Sequence, residues 1–156
     1  MLQILFVCTG NTCRSPMAET LLKERIRCLE ETDRIVALSA GLAAFDGEPA
    51  SCEACAAMAR RGLSLKQHRA QRISKTLVQE ADLVLTMGES HKRGLMLLAP
   101  DMQERVYSLY EYAGEAGEIS DPYGGTEAVY EACAVEIDQL LEKIWRKVVL
   151  LAGKKA

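Results

Sequence analysis

The chain has 156 residues, 49% of them apolar, and a formal net charge of −3. That length suits one domain around one core, and a balance so near neutral asks for neither nucleic acid nor a membrane surface as partner. No apolar run approaches the ~20 residues of a transmembrane helix. No basic segment leads into a long apolar one at the N-terminus, so no signal peptide is expected. Six cysteines without framework-like spacing fit a reducing compartment, read here as cytoplasmic, better than a disulfide scaffold. There is no repeat and no low-complexity segment.

Residues 2–7, LQILFV, hardly alternate, so they predict a strand buried on both faces. A polar loop follows, and then a helix with Ser15 or Arg14 as cap, Pro16 near its first position and Glu19 in its opening turn. Met17, Leu21, Leu22, Ile26 and Leu29 keep helical spacing along it. Residues 34–39 predict a second strand, 50–61 a helix ended by Gly62, and 81–87 a third strand. Residues 89–98 predict a helix stopped before Pro100, with His91 solvated in its first turn. Residues 105–109 predict a fourth strand, and 110–119 a loop. Residues 126–151 predict a long closing helix on which Val129, Ala132, Cys133, Ile137, Leu140, Leu141, Ile144 and Val148 share a face. Lys154 and Lys155 fall in a frayed tail. Strands alternating with helices predict an α/β fold, a parallel sheet covered on both sides.

The stretch Cys8-Thr9-Gly10-Asn11-Thr12-Cys13-Arg14-Ser15 joins the first strand to the first helix. Backbone N–H groups converge at such a junction, and the helix start adds positive potential, so an anion is favoured there. The same field favours a thiolate at Cys8. Arg14 brings a planar fork that can hold two phosphate oxygens. A buried, inert cysteine is the plainer reading of Cys8, but it leaves Arg14 and Ser15 without a purpose. The loop lacks the lysine and glycine spacing of a nucleotide P-loop and the dinucleotide glycine triplet. Cys8 and Cys13 alone do not make a zinc site, and no metal or other cofactor is expected. Cys52 and Cys55 have Cys-x-x-Cys spacing, but they follow a loop rather than a strand and are read as structural.

The run from Val7 to Glu19, with Asp121-Pro122-Tyr123 far downstream, resembles the low-molecular-weight protein tyrosine phosphatase family. Within it, the loop is more similar to the protein arginine phosphatase branch. The resemblance covers essentially the whole chain and implies a four-stranded sheet of order 2-1-3-4. It places the Cys8 loop and the Asp121 loop on one rim, at the carboxyl ends of the strands. It implies Cys8 as nucleophile, Arg14 as clamp and Asp121 as general acid. By itself, Asp121-Pro122 followed by Gly124-Gly125 reads as a turn. Thr9, Gly10, Asn11, Thr12, Cys13 and Ser15 would cradle the phosphate, with Tyr123 beside them. Ser15 would also hydrogen-bond the Cys8 sulfur. His68 and Ser39 would brace the loop through Asn11; the plainer readings are a surface or hydrogen-bonded core histidine and a strand-end serine. Cys13 is either a redox guard for Cys8 or a small buried residue.

The mechanism so implied has two steps. Cys8 attacks phosphorus in line while Asp121, carrying a proton, gives it to the leaving group. Water then releases phosphate from the cysteinyl intermediate. Thr12 stands where tyrosine-specific relatives carry a larger aliphatic residue, and it is threonine in the arginine branch. Gly124-Gly125 leans the same way. Tyr123 resembles the tyrosine-specific relatives instead. Phosphoarginine in proteins is thus the first reading and phosphotyrosine the alternative. Two rivals are weaker. An arsenate reductase needs relay cysteines that residues 81–94 lack. A non-catalytic phosphoprotein-binding module needs no nucleophile. The expected partners are phosphorylated proteins as substrates, acted on by a monomer.

Overall fold

The computed structural model of the protein describes residues 1–155. Four parallel strands form one sheet: β1 (Leu2–Cys8), β2 (Ile35–Gly41), β3 (Leu83–Thr86) and β4 (Val106–Ser108). Their order is β2-β1-β3-β4, as the family resemblance implied. β1 is central, and from Ile4 to Cys8 every residue is buried. That is why its sequence does not alternate.

The helices are α1 (Arg14–Cys28), α2 (Cys52–Ala59), α3 (Lys75–Glu80), α4 (Glu89–Leu98), α5 (Leu109–Tyr112) and α6 (Glu127–Lys155). One apolar cluster includes Ile4 and Phe6 of β1, Met17 and Leu22 of α1, Met58 of α2 and Ile137 and Leu141 of α6. The other includes Leu5 and Val7 of β1, Val78 of α3 and Leu95 of α4. Successive β1 side chains thus enter opposite clusters, as strand geometry requires.

Several boundaries differ from the sequence reading, each for a physical reason. α1 starts at Arg14 with Cys13 as its N-cap and no capping side chain. Ser15 and Arg14 are therefore inside the helix, and Glu19 lies beyond its first turn. Ser74 caps α3 by accepting from Leu77 N, a helix the sequence reading left out. Residues Pro100–Arg105 form a 3-10 helix. The expected loop after β4 opens as α5, where Ser108 and Glu111 complete a reciprocal capping box. The closing helix does not fray at Lys154 and Lys155: it runs to Lys155, whose Nζ lies 2.6 Å from Asp82 Oδ1. No helix among the described residues is long and apolar enough to cross a membrane.

The topology aims the ends of three strands at one rim. Cys8 pairs with Gly41 and Val7 with Thr86. Beyond the last β1 residue, Leu42 N donates to Cys8 O and Ala43 N to Thr9 O. β1 has neighbours that leave in different directions, so a crevice opens above its end.

Candidate active site

The loop after β1 curls back on its own cysteine. Cys8 Sγ accepts from Asn11 N at 3.3 Å and lies 2.9 Å from Ser15 Oγ. The sulfur is thus met by a backbone N–H and a hydroxyl rather than by hydrocarbon. Asn11 makes the curl possible. Its φ is 56°, a left-handed conformation that asparagine tolerates better than most residues. Its side chain is then fully used: Nδ2 donates to Ser15 Oγ and to Ser39 Oγ, each at 2.9 Å, and Oδ1 accepts from Gln71 N at 2.9 Å. His68 Nε2 lies 2.7 Å from Asn11 O. Ser39 Oγ in turn donates to Glu19 Oε1 at 2.5 Å. Ser39 and His68 thus both sit against Asn11, from the end of β2 and from the segment before α3.

Gly41 sets how closely β2 approaches this curl. A Cβ there would stand 2.5 Å from Thr9 O and 2.9 Å from Asn11 N, so no larger residue fits without moving the loop. On the far side, Ser51 N donates to Thr12 O at 2.9 Å. Ser51 is also the N-cap of α2, so that helix is docked on the loop directly.

Arg14 is buried, and its Nη1 donates to Ile119 O at 2.9 Å. That bond turns the guanidinium towards the loop rather than towards water. Its Nη2 lies 3.7 Å from Asp121 Oδ2. The Asp121 side chain is 54% exposed, so this pair adds little to stability. It does bring a carboxylate to the guanidinium. The expected turn is present as well. Asp121 Oδ1 accepts from Tyr123 N, Gly125 N donates to Pro122 O, and Gly124 has a φ of 79°. A turn and a site residue are compatible here, since the turn is what holds Asp121 at the rim.

A cavity of about 330 Å³ opens over the loop. Cys8, Thr9, Gly10, Thr12, Cys13 and Arg14 line it together with Asp121 and Tyr123. A larger hollow of about 470 Å³ lies behind the brace, against Glu19, Ser39, His68 and Gln71. No cysteine lines it, so of these two cavities only the smaller is lined by thiols. All six cysteines are free thiols. Cys13 Sγ lies 3.2 Å from Tyr130 Oη, whose pKa is raised chiefly by burial. Cys133 is buried nearby, and that burial pushes its thiol up to about 12. Cys52 opens α2 exposed and Cys55 is half-buried behind it.

A family model described as low molecular weight phosphotyrosine protein phosphatase matches residues 3–151. The chain belongs to this phosphatase family. A protein-arginine-phosphatase of Geobacillus stearothermophilus is 34% identical over 147 residues, covering 94% of this chain and 95% of that one. A probable low molecular weight protein-tyrosine-phosphatase, EpsP, of Ralstonia solanacearum is 40% identical over 120 residues, 77% of each. Among solved structures, a low molecular weight protein tyrosine phosphatase from T. tengcongensis superposes with a TM-score of 0.90 at 38% identity, covering 94% of this chain and 99% of that one. The YwlE arginine phosphatase from Geobacillus stearothermophilus also superposes at 0.90, with 32% identity and 100% and 98% covered.

Three residues of this phosphatase's cavity were not singled out in the sequence. Ala43, Phe45 and Glu48 also line it, from the segment between β2 and α2. Phe45 is 75% exposed and Tyr123 78%, so two aromatic rings stand unburied at one mouth. Exposed aromatics that flank a concave site mark a place where something else is covered. One expectation is corrected. His91, read as solvated, is 6% exposed, and its Nε2 lies 3.0 Å from Thr9 Oγ1.

Proposed function

We propose that this phosphatase hydrolyses phosphoarginine in proteins, with Cys8 as nucleophile, Arg14 as clamp and Asp121 as general acid and then base. The observation that carries the chemistry is the placement of one sulfur. Cys8 Sγ sits inside the curl of the loop, 3.3 Å from Asn11 N and 2.9 Å from Ser15 Oγ, with Arg14 and Asp121 lining the same cavity. The thiolate attacks phosphorus, and an S–P bond forms as the P–N bond breaks. The leaving nitrogen keeps the electron pair and takes a proton from Asp121. Charge on the equatorial oxygens is met by loop N–H groups and by Arg14, already aimed before substrate arrives. Water then attacks the cysteinyl phosphate and Asp121 takes its proton. The S–P bond breaks, the thiolate returns and phosphate leaves. Ser15 stabilises the thiolate both before and after.

Thr12 supports phosphoarginine as the substrate. Its side chain is short and polar on the cavity wall, which suits a planar guanidinium. The likeness to protein-arginine-phosphatases over nearly the whole length supports the same reading. Tyr123 favours phosphotyrosine as a second reading, because its ring stands at the mouth and can stack on a phenyl group. Six free thiols fit a cytoplasmic setting.

The test compares peptides carrying phosphoarginine and phosphotyrosine, with Cys8→Ser as control. The expected result is a kcat/KM at least about tenfold higher for phosphoarginine. Cys8→Ser should lose about 10⁴-fold or more in kcat while still binding inorganic phosphate. A preference for phosphotyrosine would install the second reading. An active Cys8→Ser enzyme would remove the nucleophile.

A further inference from the structure

His91 is buried in the first turn of α4, 82 residues along the chain from the threonine it touches. Its Nδ1 has no hydrogen-bond partner among the described residues and no contact with solvent. Leaving a buried polar nitrogen unpaired costs about 1–3 kcal/mol. A histidine kept there at such a cost, with its other nitrogen on the residue next to the nucleophile, calls for a function. We propose that His91 is a positioning residue for phosphoryl transfer, which acts by holding the Thr9 hydroxyl and so fixing the first turn of the nucleophile loop. The inference rests on the Cys8 loop being the phosphatase centre.

The hydrogen-bond pattern assigns the direction. A buried N–H without an acceptor is rarer in proteins than an unused acceptor, so the ring proton belongs on Nε2, which donates to Thr9 Oγ1. The threonine hydroxyl then keeps its own proton to offer elsewhere. Thr9 borders the cavity that Cys8 and Arg14 also line. Thr9 O is already engaged with Ala43 N from the β2 side. Thr9 is therefore gripped twice, by backbone from one neighbouring strand and by side chain from the helix after the other.

The surroundings favour the neutral ring. Burial, and after it the Arg14 guanidinium, push the His91 pKa below its ordinary value, while Glu118 and Asp121 pull the other way. A neutral imidazole supplies direction without repelling the clamp. The same corner also carries Arg14. Ile119 N donates to Met87 O, and Glu118 Oε1 accepts from Glu89 N. The junction of β3 and α4 thus holds both Thr9 and the carbonyl that aims Arg14.

The experiment is a double-mutant cycle on the whole enzyme with an aryl phosphate substrate: His91→Asn, Thr9→Val and the pair, with His91→Gln as rescue. Asparagine is too short to reach Thr9, whereas the glutamine amide can stand near the place of Nε2. His91→Asn and Thr9→Val should each lower kcat about tenfold with KM changed less than about threefold. The pair should be no worse than about twofold below the weaker single variant. His91→Gln should recover most of the loss. A melting curve for each variant separates misfolding from misplacement, and His91→Gln keeps the test open if asparagine destabilises the fold. Losses that multiply in the pair, or a folded His91→Asn enzyme with wild-type kcat, would overturn the inference. Failure of the wild-type enzyme to turn over aryl phosphate would instead remove the reading of the loop itself.

Discussion

The two loops that meet at the cavity are held in opposite ways. The loop of Cys8 to Ser15 is tied from every direction: by Leu42 and Ala43 just beyond β2, by His68 and Gln71, by Ser51 of the α2 cap, and by His91 of α4. Cys8, Asn11, Cys13, Arg14 and Ser15 are all buried. Asp121 to Gly125 is held by its own turn and by one 3.7 Å approach to Arg14, and apart from Pro122 its residues reach solvent. The difference matches the chemistry asked of each. A cradle for developing charge works only if its dipoles are aimed beforehand. A residue that gives a proton and then takes one from water has to remain within reach of water.

Asp121→Asn sharpens that comparison most. It should lower kcat on phosphoarginine about 10²–10³-fold, because the leaving nitrogen then departs without a proton. With an activated aryl phosphate the loss should be much smaller. Stability should stay within about 0.5 kcal/mol, since the carboxylate is more than half exposed. Thermal melts beside kinetics on both substrates check this. A large drop in melting temperature would show that the acid loop is structural after all.

Gly41→Ala should do the reverse. A methyl group 2.5 Å from Thr9 O forces the loop and β2 apart, which should cost about 1–3 kcal/mol of stability. It should also lower kcat about tenfold or more through misplaced N–H groups. Denaturant midpoints and turnover should fall together here, where Asp121→Asn separates them. An unchanged midpoint would mean that the cradle yields easily, and the contrast between the two loops would fail.

What the sequence made legible follows the same division. The cradle is local: strand, loop and helix are contiguous, and Cys8, Asn11, Arg14 and Ser15 fall within eight residues. The wall of the site is not local. Phe45 and Glu48 reach it only because β2 lies beside β1. His91 lies among Glu89, Ser90, Lys92 and Arg93, and that company reads as solvated. Its burial follows from β3 lying on the other side of β1, which lays the start of α4 over Thr9. One signal was present: His91 and Leu95 are four residues apart and are the buried residues of that helix, which is the spacing of a buried face. The end of α6 was misread for a similar reason. Lysines at a terminus suggest fraying, but Asp82 beside the start of β3 supplies a partner that only the fold reveals.

The smallest expected effect lies on the cavity wall between the two loops. Thr12 is half-buried, and its backbone carbonyl is fixed by Ser51 N. Its hydroxyl is not fixed in the same way, since its contact is the Cys13 sulfur at 3.7 Å, a weak pairing. That hydroxyl is therefore free to bond a polar leaving group, and a guanidinium offers N–H donors where a phenyl ring offers none. Thr12→Ile removes the acceptor and adds apolar surface at the same point. Both changes act in one direction, against phosphoarginine and in favour of phosphotyrosine. One lost hydrogen bond to a charged group is worth about 1.5–3 kcal/mol, and each 1.4 kcal/mol is about tenfold. The ratio of kcat/KM for the two peptides should therefore move by about tenfold or more, with the backbone curl and the stability intact. An unchanged ratio would place substrate choice at the exposed mouth, with Phe45 and Tyr123, and not in the buried loop.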